Sequence, residues 1–244
     1  MKIGFFKFFV ISLLLLAGSV KYAHAQAMWL VLIFGDKAAT ENFFFSIEGG
    51  LNFAYMPGME GRVNLQPNFG LGVNMKINDK WYFVPQFKPF SRKGQKRINI
   101  DNPFPNEFDG AVLSYKTSIR TNYLDIPLMF RYGYTENVFF SAGPQVSFLL
   151  DAKNITIGDT ADDGEFLFSH GVKDQLNNVD FSFPIEVGYT FTELNNGHGI
   201  DLKLRYCHGF AEVFKKETGR SATNSVVQVI IGFPYLKSDK HSAE

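Results

Sequence analysis

The sequence predicts an all-β fold: an eight-stranded antiparallel up-and-down transmembrane β-barrel behind a cleaved N-terminal signal peptide. Three observations predict it. Apolar and polar residues alternate with period 2 in eight separate segments. The links between those segments are alternately short and long, as in a barrel whose two rims face different compartments. The chain also carries 27 Phe and 10 Tyr beside 22 Gly in 244 residues, yet its mean hydropathy is only −0.06. Large apolar groups that leave the average near neutral must be segregated by face rather than gathered in a conventional core.

The first 25 residues form the leader. Lys2 and Lys7 precede an apolar stretch from Phe8 to Ala17, and "AHA" at Ala23 to Ala25 is a small-residue cleavage site before Gln26. The apolar stretch is too short for a helix that needs about 20 residues to span a bilayer. No cysteine follows the cleavage site to accept a lipid, so the mature chain is expected to be exported and unlipidated. Without the leader it has 21 basic and 24 acidic residues, a formal charge of −3, which gives nucleic-acid binding no support. The single cysteine, Cys207, cannot close an internal disulfide and reads as a packed residue.

Residues 26–42 form an N-terminal extension in which "MWLVLIF", Met28 to Phe34, fits a short helix at or under the periplasmic rim, a periplasmic partner-binding segment or an extra edge strand, the helix being preferred. The barrel then occupies residues 43–236, before a tail at 237–244. Its first segment sets Phe43, Phe45, Ile47, Leu51, Phe53 and Tyr55 against Ser46, Glu48, Gly50, Asn52 and Ala54. In the second, Phe69, Leu71, Val73 and Met75 oppose Gly70, Gly72, Asn74 and Lys76, and in the third Trp81, Phe83 and Phe87 oppose Gln86 and Lys88. The fourth, "RTNYLDIPLMFRYGY", has Leu124, Ile126, Leu128, Phe130, Tyr132 and Tyr134 on one side and Tyr123, Asp125, Pro127, Met129 and Arg131 on the other. Pro127 lacks an N–H to pair, which suggests a local bulge or bend. The fifth segment opposes Val138, Phe140, Ala142, Val146, Phe148 and Leu150 to Ser141, Gly143, Gln145, Ser147 and Asp151. In the sixth, Val179, Phe181, Phe183, Ile185, Val187, Tyr189 and Phe191 oppose Asp180, Ser182, Pro184, Glu186, Gly188 and Thr190. The seventh opposes Ile200, Leu202, Leu204, Tyr206 and Phe210 to Asp201, Lys203, Arg205, Cys207 and Gly209, and the last opposes Val227, Val229, Ile231, Phe233 and Tyr235 to Gln228 and Gly232.

Tight turns are expected at "NDK" (78–80), "TEN" (135–137) and "ELNNGHG" (193–199), and long polar connections near 56–66, 91–118, 152–178 and 211–222. An even strand number puts both termini on the short-turn side, which is periplasmic in an outer-membrane barrel. Volume decides which face points outward. An eight-stranded interior is just wide enough to be filled by side chains, so the large apolar set must meet lipid while Gly, Ser, Asn, Gln and charges fill the lumen. Tyr55, Trp81, Tyr132, Tyr134, Tyr189, Phe191, Phe210 and Tyr235 near strand ends would form the interfacial girdles. The same parity turns Glu48, Lys76, Lys88, Asp125, Arg131, Glu186, Asp201, Lys203 and Arg205 inward. An unpaired charge is costly there, so they are expected to pair across strands as a rigid structural plug.

"YLDIPLMFRYGY" (Tyr123 to Tyr134) and "FFSAGPQVSFLL" (Phe139 to Leu150), with "GGLN" at Gly49 to Asn52, make the chain resemble the PorT-like outer-membrane β-barrel family over residues 43–236. The resemblance implies an eight-stranded barrel in a Gram-negative outer membrane, with no activity implied. The tail "LKSDKHSAE" departs from the aromatic ending of many such barrels.

Other candidates are weaker. Of the mature histidines only His208 lies on a strand, facing outward near the rim without a catalytic partner in sequence, so no enzyme is expected. "GDTADDGE", Gly158 to Glu165, gathers oxygen ligands without the calcium-loop spacing and reads as a solvated loop, so no metal or cofactor is expected. In "SRKGQKR", Arg92, Lys93, Lys96 and Arg97 form a basic loop that could meet lipopolysaccharide phosphates. The expected function is therefore structural or interaction-based, as an accessory to envelope or secretion machinery, with outer-membrane lipid, lipopolysaccharide and envelope proteins as partners. The alternatives are a narrow channel or small-solute binding barrel and, third, an outer-membrane enzyme.

Overall fold

The structure is a computed structural model that describes residues 40, 42–99, 112–160, 165–195 and 199–235. The expected leader, the Met28 to Phe34 segment, the C-terminal tail and the tip of the acidic loop lie outside the described residues. Ten strands form one antiparallel sheet: β1 (Phe43–Tyr55), β2 (Arg62–Lys76), β3 (Trp81–Ile98), β4 (Val112–Gly133), β5 (Val138–Ala142), β6 (Gln145–Thr160), β7 (Glu165–Gly171), β8 (Val179–Phe191), β9 (Ile200–Gly209) and β10 (Ser225–Tyr235). Strand β10 pairs with β1, and β3 with β4, so the sheet closes. β5 and β6 serve in turn as one wall position between β4 and β8, making a ring of eight. Closure leaves no ladder edge in hydrocarbon.

The break between β5 and β6 falls at Gly143 and Pro144. There the Leu128 N–H donates to the Pro144 carbonyl and the Gly143 N–H to the Pro184 carbonyl. Gly143 lies so close to β4 that a Cβ would strike the Leu128 carbonyl. Pro127 stands opposite Gln145, the first residue after this break. The proline that periodicity left as a bend thus sits where the neighbouring strand is itself interrupted.

The expected short turns form as the sequence implies. The Asn78 side chain accepts from the Lys80 and Trp81 amides, and the Thr135 hydroxyl from those of Asn137 and Val138. The other end differs from expectation. Of the long connections, 91–118 and 152–178 were expected to be loops, yet β3 runs on to Ile98, β4 begins at Val112, and β6 turns into the added hairpin strand β7. β4 has 22 residues, about twice the roughly 9 to 11 that cross a bilayer when tilted. The extensions escape an apolar-alternation search because their outward positions are mixed, with Lys116, Ser118, Arg120 and Lys153 beside Ile155, Ile157 and Leu167.

Outward positions across the wall are large and exposed, among them Phe130, Phe140, Phe181, Ile185, Leu204 and Ile231. At the short-turn rim Trp81 stacks on Tyr132 with ring centroids 5.0 Å apart, and Tyr189 meets Phe191 at 4.9 Å. The apolar residues that are buried gather at the opposite end. Met56, Ile98, Ile119, Tyr123, Leu149, Ala152, Val172, Leu176, Val213, Phe214 and Ala222 form one cluster inside that end of the barrel. The connections that supply it are tied together: the Asn177 N–H donates to the Val213 carbonyl, Lys215 N–H to Gln175, and Val213 N–H to Ala222. This apolar lid is not among the features expected from periodicity.

Candidate functional site

The lumen below the lid is the most constrained part of the molecule, and its charges fall into three linked groups. Nearest the short turns, Arg131 of β4 donates to Asp201 (3.0 Å) and Thr190 (3.2 Å), and the Thr190 hydroxyl donates to Asp201 at 2.7 Å. The Arg131 guanidinium lies over the Phe139 ring, 3.4 Å from its centroid, and that ring fills the space a side chain at Gly188 would need. A flat cation on an aromatic face closes this end of the barrel.

The middle group is built on Glu48 of β1. Its two carboxylate oxygens meet Lys203 at 2.7 Å and Lys88 at 2.8 Å, and Gln86 donates to it at 3.1 Å. Three glycines make room, since Glu48 faces Gly70 of β2 and Gly232 of β10 in the ladder, with Gly72 beside it. Arg205, fully buried, donates to Glu186 through Nε at 2.8 Å and to the Gln86 side-chain carbonyl at 3.0 Å. Gln86 therefore joins the Glu48 group to the Glu186–Arg205 pair.

The third group lies beneath the lid. The Lys93 ammonium meets Asp125 at 3.1 Å, Ser147 at 3.3 Å and Asp180 at 3.8 Å, and sits 4.5 Å from the centre of the Tyr123 ring. Asn224 donates to Asp180 and to the Tyr123 hydroxyl. On the far wall Gln228 and Asn68 both donate to Asn52, and Cys207 is buried against Gln228.

The structure thus brings together Glu48, Lys88 and Lys203, pairs Glu186 with Arg205, and sets Asp125 and Arg131 in the groups above and below. Lys93 requires a correction. It belongs to no basic loop: β3 slips register between Lys88 and Ser91, and the slip turns Lys93 inward, where it is buried. Arg92, Lys96 and Arg97 are exposed, on strand β3 rather than in a loop. Lys76 reaches only the rim, paired with Asp79 of the adjacent turn at 2.9 Å. Asp151 was expected to face inward. A register slip between Asn122 and Tyr123 carries it outward to Lys153 and puts Ala152 inside.

Asp180 was missed as a charged partner although its parity was readable, and Gln86 and Asn224 were not singled out. His208 is exposed on the outer face, with its Nδ1 3.1 Å from the Tyr206 hydroxyl. Asp159, the described acid of the acidic loop, accepts from the Ser114 hydroxyl at 2.6 Å.

The charge count decides what the lumen can do. The described lumen holds Glu48, Asp125, Asp180, Glu186 and Asp201 against Lys88, Lys93, Arg131, Lys203 and Arg205. Five acids face five bases, so the fill is neutral and each charge has an opposite partner within 4 Å. Such an interior binds to itself, with a Phe139 floor and an apolar roof.

The family described as "Outer membrane protein beta-barrel domain" matches residues 34–215. No curated protein matches the chain. Among solved structures, similarity extends to the attachment invasion locus protein Ail of Yersinia pestis in complex with the heparin analogue sucrose octasulfate. Identity is 10%, coverage is 80% of this chain and 100% of that one, and the TM-score is 0.41. Neisserial surface protein A is similar at 9% identity, 79% and 96% coverage and a TM-score of 0.36. The Pseudomonas putida toluene transporter TodX is similar at 9% identity, 84% and 93% coverage and a TM-score of 0.25.

Proposed function

We propose, from the premise that the chain belongs to the outer membrane protein beta-barrel domain family, that it is a sealed barrel acting through its outer surface in a structural or interaction role. One observation carries the reading: the lumen is occupied by a neutral network of five acids and five bases between the Phe139 floor and the apolar lid. Aqueous channels of the porin type need about 16 to 18 strands, and an eight-stranded wall leaves no comparable bore. The tight turns and the even ring support an orientation with both termini periplasmic and the long extensions of β3, β4, β6 and β7 on the cell exterior. The Tyr-Leu-Asp-Ile-Pro and Ala-Gly-Pro strands, at Tyr123 to Pro127 and Ala142 to Pro144, support the narrower PorT-like assignment and an accessory role in envelope or secretion machinery. Envelope proteins and outer-membrane lipopolysaccharide are the partners this reading expects, without enzymatic activity.

Planar-bilayer recording tests it. The purified barrel should give no stable unitary current across a range of voltages. A reproducible single-channel conductance would overturn the sealed reading in favour of a narrow channel.

A further inference from the structure

We propose that the outer face of β3, β4 and β6, immediately beyond the apolar belt, binds the phosphate groups of lipid A through Arg92, Lys96, Arg120 and Lys153. The inference rests on the orientation above, with the long extensions facing outward. Below this level the same strands present Phe90, Leu128 and Phe148 to lipid. One step higher the outward positions switch to charge. Arg92 follows Phe90 by two residues on β3, and Lys153 stands two positions beyond Asp151 on β6.

The ladder register brings the cations together. Arg120 is directly opposite Lys153 of β6, and on its other side it is opposite Gly94 of β3, the outward position between Arg92 and Lys96. Like charges directly opposite on a sheet repel, so an arrangement of this kind calls for an anion. Acids of this chain supply little. Among the described residues Arg92, Lys96 and Arg120 form no ion pair; Asp151 is 3.4 Å from Lys153, and Asp159 farther along β6 accepts from Ser114.

Gly94 leaves the centre of the quartet without a side chain. Its φ is +119° and the place a Cβ would take is filled by the Ile119 carbonyl of β4, so no side chain stands between Arg92 and Lys96. Two guanidiniums and two ammoniums on one face suit phosphate oxygens, which guanidinium engages in paired hydrogen bonds. A phosphorylated lipid fits better than a free anion, because the apolar wall directly beneath takes the acyl chains. The band is also local: the far-wall strands β8 and β9 present no outward lysine or arginine, and end toward this side in the outward residues Val179, Phe181 and His208.

The test uses the full-length mature protein in an uncharged detergent, with bound lipid counted by native mass spectrometry. The ligands are bis-phosphorylated lipid A, its dephosphorylated form, phosphatidylglycerol and inorganic phosphate. Lipid A should bind at least about tenfold more tightly than the other three. The R92Q/K96Q/R120Q/K153Q variant should lose about tenfold in lipid A affinity, and a K80Q/K216Q variant, with cations removed elsewhere, should lose none. Equal binding of lipid A by the quadruple variant, or equal binding of phosphatidylglycerol or dephosphorylated lipid A by the wild type, would overturn the proposal. Inorganic phosphate that competes as well as the lipid would reduce the site to a general anion patch and also overturn it. All four side chains point away from the lumen, and unchanged β-sheet circular dichroism checks that the variant is folded. Orientation is read separately, from labelling of a Lys116→Cys variant in intact cells with an impermeant maleimide; protection would overturn the outer-leaflet assignment. A conducting barrel that still binds lipid A through these residues would defeat the sealed-lumen reading alone.

Discussion

Replacing Glu48 with Gln should destabilise the barrel more than any other single isosteric change in the lumen. Glu48 is fully buried and holds two ammoniums, Lys88 at 2.8 Å and Lys203 at 2.7 Å. The amide keeps the shape and can still accept from one partner, so the substitution removes charge and little else. Lys203 retains Asp201 at 3.6 Å. Lys88 retains no carboxylate, since Asp125, opposite it in the ladder, is engaged by Lys93. Breaking a buried pair from one side costs about 3–5 kcal/mol, most of it the penalty of the charge left behind. With a slope of about 2 kcal/mol/M, that moves the urea midpoint down by roughly 2 M. The assay is urea unfolding of vesicle-inserted protein followed by tryptophan fluorescence, with Trp81 on the barrel wall as a reporter. The Glu48→Gln/Lys88→Gln double variant supplies the control, because removing the stranded ammonium should restore at least half of the loss. A single variant within about 0.5 kcal/mol of wild type, or a double variant no better than the single, would refute the reasoning.

Four other outcomes follow from the same geometry. Lys93→Met should destabilise by about 3–5 kcal/mol through stranding of Asp125 and Asp180, whereas Lys96→Met three residues along should change urea stability by less than about 0.5 kcal/mol. Phe214→Ala opens the lid and should cost about 3–5 kcal/mol, read in the same unfolding assay, with faster proteolysis of the 211–222 connection. Ile185→Arg places a cation on the lipid face midway along β8 and should cost about 2–4 kcal/mol in urea unfolding, whereas Phe191→Arg at the short-turn rim should cost less than about 1 kcal/mol. Glu186→Leu together with Arg205→Leu removes a whole buried pair, so its equilibrium stability in urea should stay equal to or exceed wild type, while either change alone destabilises.

Much of the fold was legible because a membrane wall imposes one rule per face. The parity of Phe181, Ile185 and Leu204 against Asp180, Glu186 and Arg205 follows from the bilayer on one side and a narrow lumen on the other. Legibility ended wherever the bilayer did. Beyond it β4 continues through Thr117, Ile119 and Thr121, whose outward neighbours are polar, and the apolar pattern that marks a strand disappears although the ladder persists. Lys93 and Asp151 were misplaced for a second reason: a one-residue register slip exchanges inside for outside, and a sequence does not show where the partner strand slips. The lid was invisible for a third, since Met56, Val172, Leu176 and Phe214 come from separate connections and form a core only once the ring has brought those connections together.

The ionic lumen raises the question of why Leu and Val do not fill it, since an apolar interior of equal volume would be no less stable by the usual balance of desolvation against attraction. The bilayer supplies an answer that a soluble core would not. A strand apolar on both faces could turn either face to lipid, and a one-residue slip would cost it nothing. Charges at Glu48, Lys88, Glu186, Lys203 and Arg205 make the wrong face prohibitive in hydrocarbon and acceptable only where opposite charges converge. They therefore set which face is inside, and their mutual pairing sets which register closes the ring. Neutrality completes the logic: five acids against five bases leave no residual charge to draw ions through the wall. The cations that are not balanced in this way, Arg92, Lys96 and Arg120, stand on the outside, where a partner can reach them.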